Sequence, residues 1–179
     1  MRVSPPPGRP RIPVAGTPFR EQEYERSLTR PYKMTANSLS EPSEENLAEM
    51  NRLHHQRCFT HIAKNAGGFG MEFHLQPDSS VRADWTCPKG YESYDGVLHG
   101  GIQATLMDSA MVQALFARRV VARTGEMKTR FRDAVSPEKP ITVTASLELA
   151  HPPLFKMRAA VIQDGKVCAE CEAKFMSGF

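Results

Sequence analysis

His99, Gly100 and Gly101 stand together in the middle of the chain, immediately before a long run without proline or further glycine. The first N–H groups of a helix have no partner inside the helix, and glycines let a ligand approach them closely. A helix that begins here could therefore hold an anion or a developing oxyanion. The two glycines could equally make only a tight turn between a strand and the helix.

Asp108 lies about two turns into that run, among mostly apolar residues. Aspartate is a poor residue for a helix interior and is costly to bury, so its charge must be compensated or used. A carboxylate that is shielded from water near a helix terminus could act as a general base or as a nucleophile. It could also emerge at a subunit boundary or pair with Arg118 or Arg123.

Two helices are predicted to position these groups. Ser43 is a capping residue followed by acidic groups, and apolar residues then recur at helical spacing, which predicts a helix over about residues 43–56. The run from Gly101 to Val121 predicts the longest helix. Its apolar residues occupy nearly all faces, as expected of a helix that other structure encloses.

Strand-like runs lie on both sides of the long helix. Two alternating runs before it predict a hairpin, followed by a loop over residues 88–98. Four runs follow it, and the turn at Asp164-Gly165 is a strong hairpin signal. The six runs are 69–75, 81–86, 125–132, 141–150, 155–163 and 167–175. One buried helix and about six largely antiparallel strands predict an α+β domain with a sheet curled around the helix.

The composition restricts the class of protein. A chain of 179 residues can bury one sizeable core, and no stretch is apolar for long enough to span a membrane. Residues 1–33 have a net charge of +4 and the remainder −1, so the remainder lacks the basic surface that binds nucleic acid. We predict a proline-rich, basic arm over residues 1–42, extended or disordered, and one domain over residues 43–179.

The cysteines and the N-terminus indicate the compartment. Four cysteines are too few for a disulfide scaffold, and the N-terminus has no apolar signal core, which predicts a cytoplasmic protein with reduced thiols. Cys168 and Cys171 have a metal-ligand spacing, but residues three apart on a strand point to opposite faces. Cys58 and His61 could bind zinc with His54, His55 or Cys87, yet no second well-spaced pair completes that site. We therefore expect no metal and no cofactor.

Residues 98–111, Leu-His-Gly-Gly-Ile-Gln-Ala-Thr-Leu-Met-Asp-Ser-Ala-Met, resemble the signature of the hotdog thioesterase superfamily, of the phenylacetate-degradation and human thioesterase-superfamily type. This signature is a His-Gly-Gly turn with an acidic residue nine positions after the His. Residues 69–86 resemble the first two strands of the family, and residues 123–132 resemble the strand after its helix.

The resemblance implies a hotdog fold and the hydrolysis of an acyl-CoA thioester to free acid and CoA. It assigns the oxyanion hole to the Gly100 amide, the general base or nucleophile to Asp108, and the orientation of the attacking water to Thr124 from the neighbouring subunit. His99 would shape the thioester-binding loop, and Ser93 stands where many relatives carry a hydrogen-bonding Asn or Gln. Further substrate-binding candidates are Gly101, Thr105 and, for the CoA phosphates, Lys128, Arg130 and Arg132.

Family members place the active site between two protomers, so the resemblance implies a homodimer, often paired into a homotetramer. Two other functions stay open. One is a hotdog hydratase or dehydratase that acts on an enoyl thioester through His99. The other is a non-catalytic module that binds an acyl thioester or a partner protein.

Overall fold

Helix α1, Glu44–His54, opens the part of the chain that the computed structural model describes, residues 39–63 and 67–178. Ser43 caps this helix, because its Oγ accepts a hydrogen bond from the Asn46 N–H at 3.1 Å. Leu47 and Met50 form its buried face. The leading helix predicted from the sequence is thus confirmed. The predicted N-terminal arm, residues 1–42, lies outside the described residues except for 39–42 and stays a prediction.

Helix α2, Gly100–Phe116, is the long central helix. It ends five residues before the predicted end at Val121, so that boundary is wrong. Arg119 adopts a left-handed conformation with φ 59°, and the Val120 N–H bonds to the Leu115 carbonyl at 3.0 Å. This is the Schellman ending of a helix, which usually places glycine where Arg119 stands. The sequence therefore carries no sign of it.

The strands in chain order are β1 His74–Leu75, β2 Val81–Thr86, β3 Glu92–Tyr94, β4 Val97–Leu98, β5 Arg123–Phe131, β6 Pro140–His151, β7 Leu154–Gln163 and β8 Lys166–Met176. Six of them form one antiparallel sheet in the order β1-β2-β6-β7-β8-β5, and β3 pairs only with β4. Helix α2 packs mainly on β6 and β7 at the centre of the sheet. This arrangement confirms the predicted α+β hotdog fold.

The first predicted strand, residues 69–75, is largely wrong as a sheet strand, since only His74–Leu75 pairs with β2. Residues 69–73 keep the alternating burial of a strand, but the Met71 N–H bonds to the Thr60 carbonyl at 2.9 Å. The alternating apolar residues show which positions are buried, but they do not show which segment provides the backbone hydrogen bonds. The predicted loop 88–98 likewise contains the short hairpin of β3 and β4.

The turn between β7 and β8 is the one that the sequence predicts. Asp164 and Gly165 have φ values of 52° and 75°, which is the left-handed pair of a type I′ hairpin turn. No helix in the described residues is both long and apolar enough to cross a membrane.

A bulge in β8 changes which of its residues are buried. Val161 of β7 faces Ala169, whereas the next residue, Ile162, faces Val167, so Cys168 is the extra residue. Cys168 and Cys171 are consequently both buried, at 3% and 1% exposure. The prediction that they point to opposite faces is wrong, because the bulge shifts the alternation by one residue. Both thiols pack in the hydrophobic core.

A second bulge lies in β5, the edge strand. Thr124 is opposite Phe175, but the next paired residue is Glu126, opposite Lys174, so Gly125 is the extra residue. Residues that are directly opposite one another share a face of the sheet. Because Phe175 is fully buried, Thr124 points to the helix side of the sheet, whereas Glu126 points outward.

Candidate active site

His99 caps the start of α2. Its Nδ1 accepts a hydrogen bond from the Gly101 N–H at 2.8 Å, and its carbonyl accepts one from the Ile102 N–H at 3.0 Å. A neutral imidazole with Nδ1 as acceptor carries its proton on Nε2, so the free edge of the ring is a donor. Among the described residues, none offers an acceptor to the Gly100 N–H. The helix start therefore presents hydrogen-bond donors, as an oxyanion site requires.

The ring of Phe131 lies against Gly100. A Cβ added at Gly100 would stand 3.2 Å from Cζ and 3.4 Å from Cε1 of that ring, so only glycine fits without moving it. Phe131 is 54% exposed, which is high for a large apolar side chain. No motif in the sequence indicates Phe131 as a site residue, and the available signal is an apolar residue between the charged Arg130 and Arg132.

Asp108 is half-buried within one chain, so its carboxylate is not fully shielded from solvent there. An accessible stripe runs along α2 through Gly101, Thr105, Asp108 and Val112, which recur at helical spacing and are not buried. The helix is therefore enclosed on its other faces but open along this one. Arg118, one of the arginines considered as its partner, instead donates to the Ala114 carbonyl at 2.9 Å.

Thr124 is the residue that contacts this carboxylate. Its Oγ1 donates a hydrogen bond to Asp108 Oδ1 at 2.6 Å within the same chain. The bulge at Gly125 turns Thr124 toward the helix of its own chain. The implied role of Thr124 in orienting the attacking water from the neighbouring subunit stays a prediction. No other described side chain hydrogen-bonds to the Asp108 carboxylate.

The two groups lie far apart along the helix. Gly100 and Asp108 are eight residues apart in α2, which corresponds to about 12 Å at the rise of an α-helix. A thioester carbonyl within hydrogen-bond distance of the Gly100 N–H cannot also touch Asp108 of the same chain. One chain thus carries two candidate half-sites, the donors at the helix start and the Asp108–Thr124 pair.

Ser93 and Thr105 lie nearer the helix start. The His99 N–H bonds to the Tyr91 carbonyl at 2.9 Å, which brings the hairpin that contains Ser93 beside His99. Ser93 itself is exposed. Thr105 donates its hydroxyl proton to the Gly101 carbonyl at 2.9 Å, so its side chain lies along the open stripe of the helix.

The basic candidates for the CoA phosphates are not brought together with Asp108. Lys128 and Arg130 stand opposite Glu172 and Glu170 in the pairing of β5 with β8, on the outer face of the sheet. Arg132 forms an ion pair with Glu170, and this contact lowers the pKa of the Glu170 carboxyl below its ordinary value. Each cation thus has a carboxylate nearby.

A separate cluster of chemically reactive side chains consists of His55, Cys58 and His61. One potential ligand atom from each lies within 4.8 Å of the other two. The cluster includes neither His54 nor Cys87, the further zinc candidates considered from the sequence. Burial lowers the pKa of His61 to about 4, and the charge of nearby His55 adds to the shift.

Known proteins resemble this chain both in sequence and in fold. The sequence model of the thioesterase superfamily matches residues 95–172, which include α2 and β5 to β7 and most of β8. Comparison with curated protein sequences gave no match. A solved thioesterase-superfamily protein is 25% identical with a TM-score of 0.59, over 63% of this chain and 59% of that chain. The aligned part therefore spans less than two thirds of that relative.

Two bacterial structures extend the similarity of the fold. The phenylacetic acid degradation-related protein of Ralstonia eutropha JMP134 is 17% identical with a TM-score of 0.59, over 72% of this chain and 98% of that chain. The PaaI protein of the E. coli phenylacetic acid degradation operon is 14% identical with a TM-score of 0.64, over 75% and 95%. Residues 95–172 thus match the thioesterase superfamily in sequence, and the solved structures share the hotdog fold that the sequence predicts.

Proposed function

We propose that the protein hydrolyses an acyl-CoA thioester to free acid and CoA, with Asp108 as general base or nucleophile. The observation that supports this most directly is the 2.6 Å hydrogen bond from Thr124 Oγ1 to Asp108 Oδ1. It holds one oxygen of the carboxylate and leaves the other to meet a water molecule or the thioester carbonyl. A carboxylate held in this way can act as either base or nucleophile.

The Gly100 amide is the proposed oxyanion donor. It is the first N–H of α2, where the helix dipole also favours developing negative charge. If Asp108 acts as a base, it takes a proton from water as the water attacks the carbonyl carbon. If it acts as a nucleophile, it forms an acyl anhydride that water then hydrolyses. In the first case the protonated Asp108 returns its proton to the departing CoA sulfur. In the second case the sulfur takes a proton from water, and in both cases CoA leaves as the thiol.

The roughly 12 Å between the two half-sites favours an active site shared by two copies. Two α2 helices packed antiparallel, with their axes about 8–10 Å apart, would bring Gly100 of one protomer toward the partner subunit's Asp108. The midpoint between the two positions is Ala104, a small residue that permits a close approach. We infer a homodimer, which could pair into a dimer of dimers.

The same geometry argues against hydration through His99. A hydratase needs a base to activate water, but Nδ1 of His99 already accepts the Gly101 N–H and Nε2 carries the proton. His99 is therefore suited to cap the helix and to donate a hydrogen bond. Its proposed role is to shape the loop that binds the thioester, with Ser93 and Thr105 beside it.

Lys128, Arg130 and Arg132 are the proposed contacts of the CoA phosphates, although a phosphate would have to compete with Glu170 and Glu172. Gly101 would line the substrate path beside Gly100.

All four cysteines are free, which suits a reducing compartment such as the cytoplasm.

Thiol release from a broad panel of acyl-CoA substrates, followed with a thiol-reactive dye, tests the proposal. Asp108→Asn is nearly isosteric and should reduce kcat by about 100-fold or more without affecting folding. Asp164→Asn is the matched control, because Asn-Gly suits the same type I′ turn as Asp-Gly. It should keep wild-type activity.

Three outcomes would contradict the proposal. Wild-type turnover in Asp108→Asn would exclude the role of the carboxylate. Hydration of an enoyl-CoA without thiol release would favour the hydratase. CoA binding without thiol release from any substrate of the panel would favour a non-catalytic binding module.

A further inference from the structure

The segment that connects α1 to the core brings three potential metal ligands to one side. The Cys58 N–H bonds to the His55 carbonyl at 3.1 Å, and the His61 N–H bonds to the Cys58 carbonyl at 2.9 Å. These are two successive turns with hydrogen bonds between residues three apart. Such turns repeat every three residues, so side chains at this spacing point in similar directions. His55, Cys58 and His61 therefore converge, although their sequence spacing alone does not predict a site.

Two of the three residues present unused nitrogen atoms. Among the described residues, neither Nδ1 of His55 nor Nε2 of His61 has a hydrogen-bond partner of good geometry, and both atoms are buried. The Gln113 side chain approaches His61 closely enough to raise its pKa slightly, but it does not complete such a bond. A buried polar atom without a partner costs free energy, so its presence calls for an explanation. A bound metal ion would satisfy both nitrogens at once.

Thr60 holds the His61 ring in the orientation that a metal ligand needs. Its Oγ1 lies 2.9 Å from His61 Nδ1 and 2.7 Å from Ser109 Oγ on α2. With Nδ1 occupied in this way, Nε2 of His61 is the nitrogen left for a metal. A hydrogen bond to the second ring nitrogen is a usual feature of histidines that bind metals. Thr60 is buried, at 2% exposure, so its hydroxyl group has little freedom to move.

We propose that His55, Cys58 and His61 bind a zinc ion that fastens the 55–61 segment against α2. A thiolate and two imidazoles are ligands of the type that zinc prefers over magnesium or calcium. Tetrahedral ligands of zinc lie roughly 3.3–3.7 Å apart. The present separations, up to 4.8 Å, need a shift of only about 1 Å. Water supplies the fourth ligand.

The position of this site suggests what it does. Ser109, which contacts Thr60, is the neighbour of Asp108 on α2. The ring of His55 packs edge-on against Phe116 with centroids 4.7 Å apart, and the ring of His61 lies 5.8 Å from that of Phe73. The ion would thus fix the connecting segment against the aromatic side chains and Ser109 that surround it.

Zinc binding to the full chain, prepared without a histidine tag and treated with a chelator, tests the proposal. Titration of Zn²⁺ against a chromophoric chelator should show one tight site per chain and a rise in Tm. Co²⁺ should give the visible bands of a four-coordinate ion and a thiolate charge-transfer band. The cobalt spectrum reports the ligands in the wild-type protein, so it does not depend on the folding of any variant.

Single variants identify the ligands. Cys58→Ser, His55→Asn and His61→Asn should each weaken Zn²⁺ binding by more than about 100-fold, and Thr60→Val by about 10–100-fold, the usual effect of losing a supporting hydrogen bond. His54→Asn is the matched control, because His54 adjoins His55 but lies outside the cluster. It should bind like the wild type, and so should Asp108→Asn.

Several results would overturn the zinc proposal. Less than one tight zinc per chain, or a cobalt spectrum without a thiolate band, would exclude the site in the wild-type protein. Unchanged affinity in the Cys58, His55 and His61 variants would exclude these residues as ligands. Weak binding by Asp108→Asn would move the ion to the catalytic carboxylate.

Discussion

Thr124 on β5 donates a hydrogen bond of 2.6 Å to Asp108 on α2, and the bulge at Gly125 makes this contact geometrically accessible. In a regular strand Thr124 would share the outer face with Glu126, away from the helix. The extra residue reverses that direction for the strand residues before the bulge, including Thr124. The edge strand and the central helix are thereby joined at the carboxylate on which the proposed chemistry depends.

Thr124→Val should lower kcat with little change in KM. The substitution keeps the shape of the side chain but removes the hydroxyl, and a hydrogen bond to a charged group contributes about 1.5–3 kcal/mol. If part of this contribution serves to orient the carboxylate, we expect a reduction in kcat of about 10-fold or more. Steady-state kinetics of thiol release measure the effect.

Thr124→Ser is the control for this prediction. It restores a hydroxyl at the same position, so activity should return to near the wild-type value. Equal losses in the valine and serine variants would mean that Thr124 acts through its methyl group or through the strand, not through its hydrogen bond.

The architecture could be predicted from the sequence because its signals are local. The capping by Ser43, the Asp164-Gly165 turn and the alternating runs of β6 and β7 each depend on a few neighbouring residues. The location of the acidic residue on α2 also followed from the family signature. These features need no knowledge of which segments meet in space.

The sequence predictions that proved wrong depend on contacts between distant parts of the chain. Arg119 ends α2 in a conformation that usually requires glycine, so the sequence carries no stop signal there. The bulges at Gly125 and Cys168 depend on the register with a distant strand, and they reverse the direction of Thr124 and of the cysteines. The convergence of His55 with Cys58 and His61 depends on two turns that apolar periodicity does not describe.

Gly100→Ala should remove most of the activity while it leaves stability within about 1 kcal/mol of the wild type. Alanine favours a helix, but its methyl group would stand 3.2 Å from the Phe131 ring and beside the proposed oxyanion donor. Because Phe131 is half-exposed, the ring can move at modest cost. Loss of one oxyanion donor costs about 100-fold or more in kcat, and a crowded donor should cost at least about 10-fold.

The Gly100→Ala methyl group would both displace the Phe131 ring and crowd the Gly100 amide, and Phe131→Ala separates these two effects. It removes the ring but leaves the Gly100 amide accessible, so it should retain more activity than Gly100→Ala. If Phe131→Ala is just as inactive, the ring itself is required, and the effect at Gly100 does not report on the amide.

His99→Ala should destabilise the protein by about 1 kcal/mol, since the cap of α2 is lost. His99→Asn keeps an acceptor for the Gly101 N–H and should recover that stability. Urea unfolding measures both variants. If His99 acts only as a cap and loop-shaping residue, the Asn variant should also recover much of the activity; equal inactivity of both would show that the imidazole is needed in the reaction.

One thiol out of four should react with iodoacetamide at pH 8 in the native, chelator-treated protein. Cys58 is half-buried, whereas Cys87, Cys168 and Cys171 are at most 3% exposed. Burial also raises the pKa of the Cys87 thiol to about 11 and that of Cys171 above its ordinary value. A raised thiol pKa means less thiolate at pH 8, about one part in a thousand for Cys87.

Mass spectrometry of the alkylated protein locates the reactive thiol. All four cysteines should react after denaturation, and the reactivity of Cys87 in the folded protein should rise only as the pH approaches 11. Saturation with Zn²⁺ should protect Cys58 and leave the other three unchanged, because only Cys58 belongs to the proposed site. Rapid native labelling of Cys87 at pH 8 would show that its side chain is less buried than in this fold.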